Sequence, residues 1–196
     1  MPINQPTKPP ARPAKGTVRI IAGLWRSRRL AVVDIPGLRP TGDRVRETLF
    51  NWLQSYISGA SCVDLFAGTG ALGFEAASRG AEKVVMVERN SQAFACLVNN
   101  VELLDASTVQ LRHGDALAWL DSQSGDRYNI LFVDPPFSDS LHAEVLLKIQ
   151  QSGCLSAGGF VYLETPVSMV APELPTGWSL WKEKIIGDIR LQVFRR

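Results

Sequence analysis

The fold is decided by the stretch SCVDLFAGTGALGFEAASRG, residues 61–80. It begins as a buried strand, turns through glycines and continues as a helix. The turn fits the pattern G-x-G-x-x-G at Gly68, Gly70 and Gly73, and Glu88 lies 20 residues after Gly68. Glycines let a ligand approach the backbone closely, and an acid at that distance suits the hydroxyls of a ribose. The stretch therefore predicts a site for a nucleoside-containing ligand at one edge of a parallel sheet.

The same alternation of strand and helix continues to the end of the chain. Strands are predicted over 61–67, 83–88, 108–113, 128–134, 159–164, 178–186 and 189–195, and helices over 71–79 and about 91–104, 115–122 and 138–151. The last two strands leave no room for a helix between them, so they form an antiparallel pair joined at Gly187 and Asp188. This pattern is typical of an α/β fold with a mostly parallel sheet covered by helices on both faces.

Three regions are predicted along the chain. Residues 1–15 are rich in proline and basic residues and are interpreted as a disordered arm. Residues 16–58 form an extension with a β-hairpin over 17–33 and a helix that starts at Asp43 as its N-cap. The expected buried face of this helix consists of Val45, Leu49, Trp52, Leu53 and Tyr56. Residues 59–196 form the α/β domain.

Charge is distributed unevenly between these regions. Residues 1–46 carry ten Lys and Arg against two Asp, whereas the whole chain has a net charge of +2, so the remainder carries −6. A basic head beside an acidic body fits a polyanion-binding surface next to a separate site. A solvated basic surface without a partner explains the charge alone equally well.

Composition excludes several classes of protein. The chain has three cysteines without a C-x-x-C pair, which argues against a disulfide scaffold or a zinc ribbon and favours a reducing cytoplasm. Its apolar runs are strand-sized, and its N-terminus lacks the apolar segment of a secretory signal. His113 and His142 lack metal-ligand spacing, so no metal is expected.

Asp64 discriminates between two cofactors that fit the glycine-rich turn. A dinucleotide would place its pyrophosphate at the start of the helix, where a carboxylate adds repulsion. S-adenosylmethionine carries an ammonium and a sulfonium group instead, and both favour a carboxylate. Asp115 follows the third strand, where it is suited to accept a hydrogen bond from an adenine amino group or to cap the next helix. These residues favour S-adenosylmethionine over NAD.

The sequence DPPF at 134–137 ends the fourth strand, at the edge where open α/β sheets bind ligands. Its two prolines remove N–H donors and leave a rigid row of carbonyls. Asp134 and the Pro135 carbonyl can accept hydrogen bonds from an exocyclic amine and orient its lone pair towards a methyl group. Phe137 offers a flat face for a base taken out of its stack. A rigid turn with a core phenylalanine is the structural alternative.

These motifs resemble those of a known family. DLFAGTGALGFEAASRGA at 64–81, VVMVERN at 84–90, HGDA at 113–116 and DPPF look like the motifs of class I methyltransferases that modify amino groups. RIIAGLWRSRRL at 19–30 and RPTGDRVRETLFNWL at 39–53 resemble the bacterial 16S ribosomal RNA guanine-N2 methyltransferases of the RsmD type, which modify guanine 966 of the small subunit. The resemblance covers about residues 17–196 and implies a Rossmann-like class I methyltransferase with a seven-stranded sheet and an antiparallel C-terminal edge hairpin.

The resemblance also implies roles for individual residues. Cofactor binding is expected from Asp64, Phe66, Gly68, Gly70, Glu88, Arg89, Asp115 and Ala116, with S-adenosylhomocysteine as the product. Catalysis is expected from Asp134, Pro135, Pro136 and Phe137, and contacts with RNA from Arg26, Arg28, Arg29, Arg39, Thr41 and Arg44. The implied substrate is 16S rRNA within assembled 30S particles, and the implied enzyme is a monomer of the cytoplasm without membrane contact. The alternatives are a DNA adenine-N6 methyltransferase, an NAD-dependent oxidoreductase and a non-catalytic RNA-binding subunit.

Overall fold

The computed structural model describes residues 16–33, 35, 41–125, 127–136 and 141–196. The arm predicted over residues 1–15, and the predicted site residues Arg39 and Phe137, lie outside the described residues.

Fifteen helices and strands occupy the described part of the chain. The strands are β1 (Gly16–Arg19), β2 (Arg29–Val32), β3 (Ser61–Asp64), β4 (Lys83–Glu88), β5 (Val109–His113), β6 (Tyr128–Val133), β7 (Leu155–Pro166), β8 (Ser179–Ile186) and β9 (Ile189–Arg195). The helices are α1 (Asp43–Trp52), α2 (Gln54–Ile57), α3 (Ala71–Ser78), α4 (Ser91–Leu104), α5 (Ala116–Asp121) and α6 (His142–Ser152).

Seven strands form one sheet in the order β5-β4-β3-β6-β7-β9-β8. The five strands β3 to β7 pair in parallel, and β9 is antiparallel to both β7 and β8. The order reverses at β3, because β4 and β6 flank it on opposite sides. In such sheets ligands bind beyond the carboxyl ends of the strands at this switch point. The predicted sheet and its C-terminal hairpin are confirmed.

A separate hydrophobic core covers each face of the sheet. On one face, the hairpin and helices α1 to α4 pack through residues such as Leu30, Leu49, Phe74 and Leu97. On the other face α5 and α6 pack through residues such as Leu120 and Ile149. Burial on both faces explains the nearly continuous apolar runs of the central strands.

The N-terminal hairpin is also confirmed, with β1 antiparallel to β2. It packs across α4, where the Ala31 carbonyl accepts hydrogen bonds from the Cys96 thiol at 3.0 Å and the Asn100 side chain at 3.1 Å. Val18, Val32 and Ala71 form a small apolar cluster beside the glycine-rich turn. The extension is therefore packed directly against the helices that border the predicted site.

Two details of the predicted N-terminal helix were wrong. Gly42 occupies the N-cap of α1 without a side-chain cap, and Asp43 is the first helical residue. The Asp43 carboxylate instead accepts from Arg46 at 2.6 Å and from Arg19 at 2.9 Å. Charge-assisted bonds to guanidinium groups are stronger than a bond to a backbone amide, so the arginines take this carboxylate away from the cap.

The buried face of the helix also differs from the prediction at its end. The spacing assumed one unbroken helix, but α1 ends at Trp52 and α2 starts at Gln54. Tyr56 is consequently 42% exposed and lies against Trp181 and Phe160. Phe50, which the spacing did not include, is buried instead and packs against Phe132.

Candidate active site

The predicted cofactor and catalytic residues converge at the carboxyl edge of the sheet. Asp64 ends β3, Glu88 ends β4, Asp115 follows β5 and Asp134 follows β6. These four strands are neighbours, and parallel strands end at the same edge. Residues separated by up to 70 positions in sequence are thereby brought to one edge by the topology alone.

The glycine-rich turn has a backbone that favours glycine. Gly68 and Gly70 have φ of 51° and 78°, in the left-handed region where side chains with a Cβ are strained. A Cβ on Gly70 would also lie 2.6 Å from the Phe74 ring and 2.7 Å from Leu97. The turn therefore brings its backbone against α3 and α4 and leaves no space for a side chain.

Asp64, the last residue of β3, binds the first turn of α3. Its carboxylate is 2% exposed and accepts a hydrogen bond from the Gly73 amide at 3.1 Å. Burial raises the pKa of Asp64 to about 7, opposed by backbone hydrogen bonds from Gly73 and Phe66 and assisted by the charge of Glu88. A buried carboxylate of this kind favours a cationic ligand, and its position at the helix N-terminus repels the pyrophosphate of NAD.

Glu88 ties the turn to β4. One carboxylate oxygen accepts from the Gly68 amide at 2.8 Å, and the other accepts from the Asn90 amide at 2.6 Å. The side chain is 8% exposed. Since each carboxylate oxygen can accept two hydrogen bonds, both retain a lone pair for ribose hydroxyls. Glu88 therefore organises the turn in addition to the role predicted from its position.

Three other predicted cofactor residues take distinct places at this edge. Asp115 is the N-cap of α5, and its carboxylate accepts from the amides of Leu117 and Ala118 at 2.9 and 3.0 Å. Its exposed position leaves the second carboxylate oxygen accessible. Arg89 is exposed, whereas Ala116 is buried. Phe66 is half-buried beside the apolar core of the second face.

Asp134 and the two prolines that follow it form the described part of the predicted catalytic loop. Pro135 is buried and Pro136 is exposed. Burial raises the pKa of Asp134 well above its usual value, and the charges of Glu164 and Asp64 raise it further. A carboxyl with a raised pKa is a stronger base once ionised than an exposed aspartate.

Two residues beside Asp134 were missed by sequence reasoning. Glu164 lies next to it on β7, because Val133 pairs with Leu163 and each chain continues by one residue. The Tyr162 hydroxyl donates to Glu164 at 2.7 Å, and both side chains are buried. Burial raises the pKa of Glu164 as well. The sequence did offer one signal for Glu164, because this acid ends the predicted strand 159–164, which neighbours the strand that leads into DPPF.

Thr41, which was predicted to contact the RNA substrate, lies beside Asp134. Its hydroxyl is 3.4 Å from a carboxylate oxygen of Asp134, a long hydrogen bond that lowers the pKa of that group. Arg44, predicted to contact RNA beside it, is exposed on α1.

The basic loop, residues 20–29, joins β1 to β2 and includes the first residue of β2. It presents Arg26, Arg28 and Arg29, which are all exposed. Arg28 donates to the Leu103 carbonyl near the end of α4, and Arg29 donates to the Thr17 hydroxyl. These bonds are 3.3 and 3.4 Å long and solvent-exposed, so they leave the guanidinium groups accessible to phosphates.

The same loop is fastened to α3, which the sequence did not predict. The buried Glu75 carboxylate accepts from the amides of Ile21 and Ala22 at 2.8 and 3.1 Å. Ser78 accepts from Leu24 through its carbonyl at 2.7 Å. The loop therefore has a fixed place on the helix that follows the glycine-rich turn.

Two open clefts lie away from the carboxyl edge. The larger, of about 520 Å³, lies between the basic loop, α1, α2 and the end of α3, and includes Arg26 and Arg79. The second, of about 230 Å³, lies at the amino ends of β3 and β6. Within the described residues there is no cluster of metal ligands and no helix that could span a membrane.

Together, the sheet order and the glycine-rich turn define a Rossmann-like class I methyltransferase fold. Residues 18–195 match the family described as Conserved hypothetical protein 95. The chain is 42% identical over 189 residues to Ribosomal RNA small subunit methyltransferase D of Escherichia coli strain K12, covering 96% of this chain and 95% of the relative. The corresponding protein of Haemophilus influenzae is 41% identical over 187 residues, covering 93% and 95%.

A solved structure agrees with these similarities. The Escherichia coli protein yhhF superposes with a TM-score of 0.86 at 40% identity, covering 92% of this chain and 98% of that one. The chain therefore belongs to the Conserved hypothetical protein 95 family, together with the proteins named ribosomal RNA small subunit methyltransferase D.

Proposed function

We propose that the chain transfers a methyl group from S-adenosylmethionine to the exocyclic N2 of guanine 966 in 16S rRNA, within assembled 30S particles and as a monomer. The proposal depends on Asp134 and the rigid prolines after it. The Asp134 carboxylate and the Pro135 carbonyl are hydrogen-bond acceptors at the edge where the cofactor residues meet, and the prolines have no backbone N–H there. The family relatives named for small-subunit rRNA support the choice of substrate.

The described residues fit the cofactor. The left-handed glycines allow a close approach to the backbone, Asp64 suits its cationic methionine end, and Glu88 suits the ribose. Asp115 retains a carboxylate oxygen for the adenine amino group. When bound, S-adenosylmethionine supplies an electrophilic methyl group on a positively charged sulfur.

Asp134 and Pro135 act on the guanine amine. Its lone pair is delocalised into the base, so hydrogen bonds from its N–H groups to the Asp134 carboxylate and the Pro135 carbonyl turn the lone pair towards the methyl group. Such positioning contributes several kcal/mol to a rate. The nitrogen gains a methyl group as the carbon–sulfur bond breaks, and it loses one proton, which the Asp134 carboxylate accepts.

The exposed arginines of the basic loop would hold rRNA phosphates around the target base. Phosphate contacts of this kind supply affinity without reading sequence. The base itself would have to leave its stack to reach Asp134, as occurs in other enzymes that modify bases.

The test is methyl transfer from labelled S-adenosylmethionine to three acceptors: unmodified 30S particles, naked 16S rRNA and duplex DNA. Mass spectrometry of the digested product identifies the methylated nucleoside and its position. N2-methylguanosine at position 966 of the particles is expected. N6-methyladenine in DNA would overturn the substrate, and binding of S-adenosylhomocysteine without any transfer would favour a non-catalytic RNA-binding protein.

A thermal-shift comparison tests the cofactor separately. S-adenosylhomocysteine should raise the melting temperature in a concentration-dependent way, because a ligand that binds only the folded state stabilises it. NAD should have no such effect, and stabilisation by NAD alone would contradict the assignment.

A further inference from the structure

A chain of polar contacts links Asp134 to the core of the N-terminal extension. It starts with the Thr41 hydroxyl, 3.4 Å from one carboxylate oxygen of Asp134, although the two residues lie 93 positions apart. Hydrogen bonds at catalytic groups are often long before substrate binds and shorten in the reacting complex. This contact joins the segment before α1 to the predicted catalytic loop.

Thr41 is in turn held by a buried arginine. Arg46 is 1% exposed, and its Nε donates to the Thr41 carbonyl at 3.1 Å. Its two remaining nitrogens donate to Asp43 at 2.6 Å and to Glu75 at 3.3 Å. A guanidinium that makes three bonds in a fixed planar geometry restrains all of its partners.

The far end of the chain is the basic loop. Glu75, which accepts from Arg46, also accepts from the amides of Ile21 and Ala22 and from Arg79. Its burial is complete. Breaking a buried ion pair leaves an uncompensated charge, so Arg46 and Glu75 are expected to remain joined. Thr41 therefore rests on the same buried pair that fixes the basic loop.

We propose that Thr41 is a positioning residue for methyl transfer: its hydroxyl fixes one oxygen of Asp134 so that the other faces the base amine, while Arg46 holds Thr41 in register. The proposal rests on the function proposed above and assigns Thr41 to the reaction rather than to RNA binding.

The role of Thr41 has a signature in the pH dependence of the reaction. The charged groups that face Asp134 are Glu164 on β7 and Asp64 on β3, and both raise its pKa, whereas the Thr41 hydrogen bond lowers it. The phenol of Tyr162, also on β7, bonds to Glu164 and has a pKa well above its usual value. Loss of the Thr41 hydroxyl should therefore move the acid-side fall of the rate to higher pH.

The experiment compares the full-length wild type with Thr41→Val, Thr41→Ser and Thr108→Val, using 30S particles and labelled S-adenosylmethionine across the neutral pH range. Thr108→Val is the matched control. Thr108 precedes β5 and therefore lies at the amino ends of the parallel strands, whereas Asp134 lies at their carboxyl ends. We expect Thr41→Val to lower kcat by about tenfold, roughly the effect of one lost hydrogen bond to a charged group. KM for the particles should stay unchanged, and Thr41→Ser should restore most of the rate.

Arg46→Lys provides a second variant, since it retains the charge but not the three-bond geometry. It should lower kcat in the same way, provided that circular dichroism and cofactor affinity match those of the wild type. If Arg46→Lys does not fold, the comparison of Thr41→Val with Thr41→Ser decides the proposal.

Other outcomes overturn the inference. A Thr41→Val enzyme with normal kcat and an unshifted pH profile would exclude positioning. A raised KM for particles with an unchanged kcat would assign Thr41 to RNA contact instead. A wild type that binds S-adenosylhomocysteine but transfers no methyl group would overturn the proposed function together with this inference. An active wild type with an unaffected Thr41→Val variant would overturn this inference alone.

Discussion

Asp134 and Glu164 lie side by side at the carboxyl ends of β6 and β7, one residue beyond the paired Val133 and Leu163. The charge of Glu164 adds to burial in raising the pKa of Asp134, and burial raises the pKa of Glu164 itself. Two neighbouring carboxyls of which one is buried and the other half-buried titrate as a pair. The pKa of Asp134, the base of the proposed reaction, therefore depends on Glu164, which lies outside the DPPF motif.

Glu164→Gln tests this relationship. The substitution removes one negative charge but keeps an oxygen for the Tyr162 hydroxyl, so the pKa of Asp134 should fall. The acid-side fall of the methyl-transfer rate should then move to lower pH, opposite to the shift expected for Thr41→Val. Rate profiles against pH on 30S particles measure it. Glu183→Gln on the exposed edge strand β8 is the control, and identical profiles for all three enzymes would refute the coupling.

Glu88→Gln tests the ribose assignment. Loss of the charge should weaken binding of S-adenosylhomocysteine by about tenfold or more, since hydrogen bonds to charged groups contribute roughly 1.5–3 kcal/mol. Calorimetry with the ribose 2′-deoxy analogue separates direct contact from support of the Gly68 turn. If Glu88 binds the hydroxyl, wild type should lose affinity for the analogue and the variant should lose little more. Equal losses in both proteins would leave Glu88 with a structural role only.

Asp64 should make the ligand-free protein less stable as pH rises. Its folded pKa of about 7 lies above the unfolded value, so between the two values the folded state binds more protons than the unfolded state. The contribution of Asp64 to the free energy of unfolding should fall as pH rises from acid to about 7 and then level off. Urea unfolding across this range measures it. The isosteric Asp64→Asn variant should lose this part of the slope, and parallel curves for both proteins would contradict the prediction.

Neutralising Arg26, Arg28 and Arg29 together to glutamine should weaken binding to 30S particles and flatten its dependence on salt. Each lost phosphate contact reduces the slope of log K against log salt by about 1. Filter binding at several salt concentrations measures both quantities. Neutralising Lys182, Lys184 and Arg195 in the C-terminal hairpin provides a control of equal charge. If both triple variants bind alike, the basic loop has no specific part in RNA binding.

Much of the fold could be predicted because its patterns are local. The bounds of β4, α4 and β9 agree with the structure, since each has a clear apolar period and a distinct start or stop. β7 runs from Leu155 to Pro166, well beyond the predicted 159–164, because its pairing with β6 and β9 extends past the apolar run. Pairing between distant strands leaves no local signal.

The same limit applies to the site. Motif residues next to one another in sequence, such as Asp64 and Gly68, could be assigned to one turn from their spacing. The contacts of Thr41 with Asp134 and of Glu75 with Ile21 join residues 93 and 54 positions apart, so only the folded chain reveals them. Asp43 was wrongly predicted as the N-cap of α1 for the same reason. Its carboxylate binds Arg19 of β1, 24 positions away, and this contact has no local signal.

Asp134→Ala shows whether methyl transfer depends on the Asp134 carboxylate. Single-turnover transfer to 30S particles should fall by about 10²–10⁴-fold, the usual contribution of a positioned acid or base. Calorimetry should show affinity for S-adenosylhomocysteine within a few-fold of the wild type, and Asp188→Ala in the β8–β9 turn should behave normally in both assays. Near-normal turnover by Asp134→Ala would exclude Asp134 as the residue that positions and deprotonates the amine.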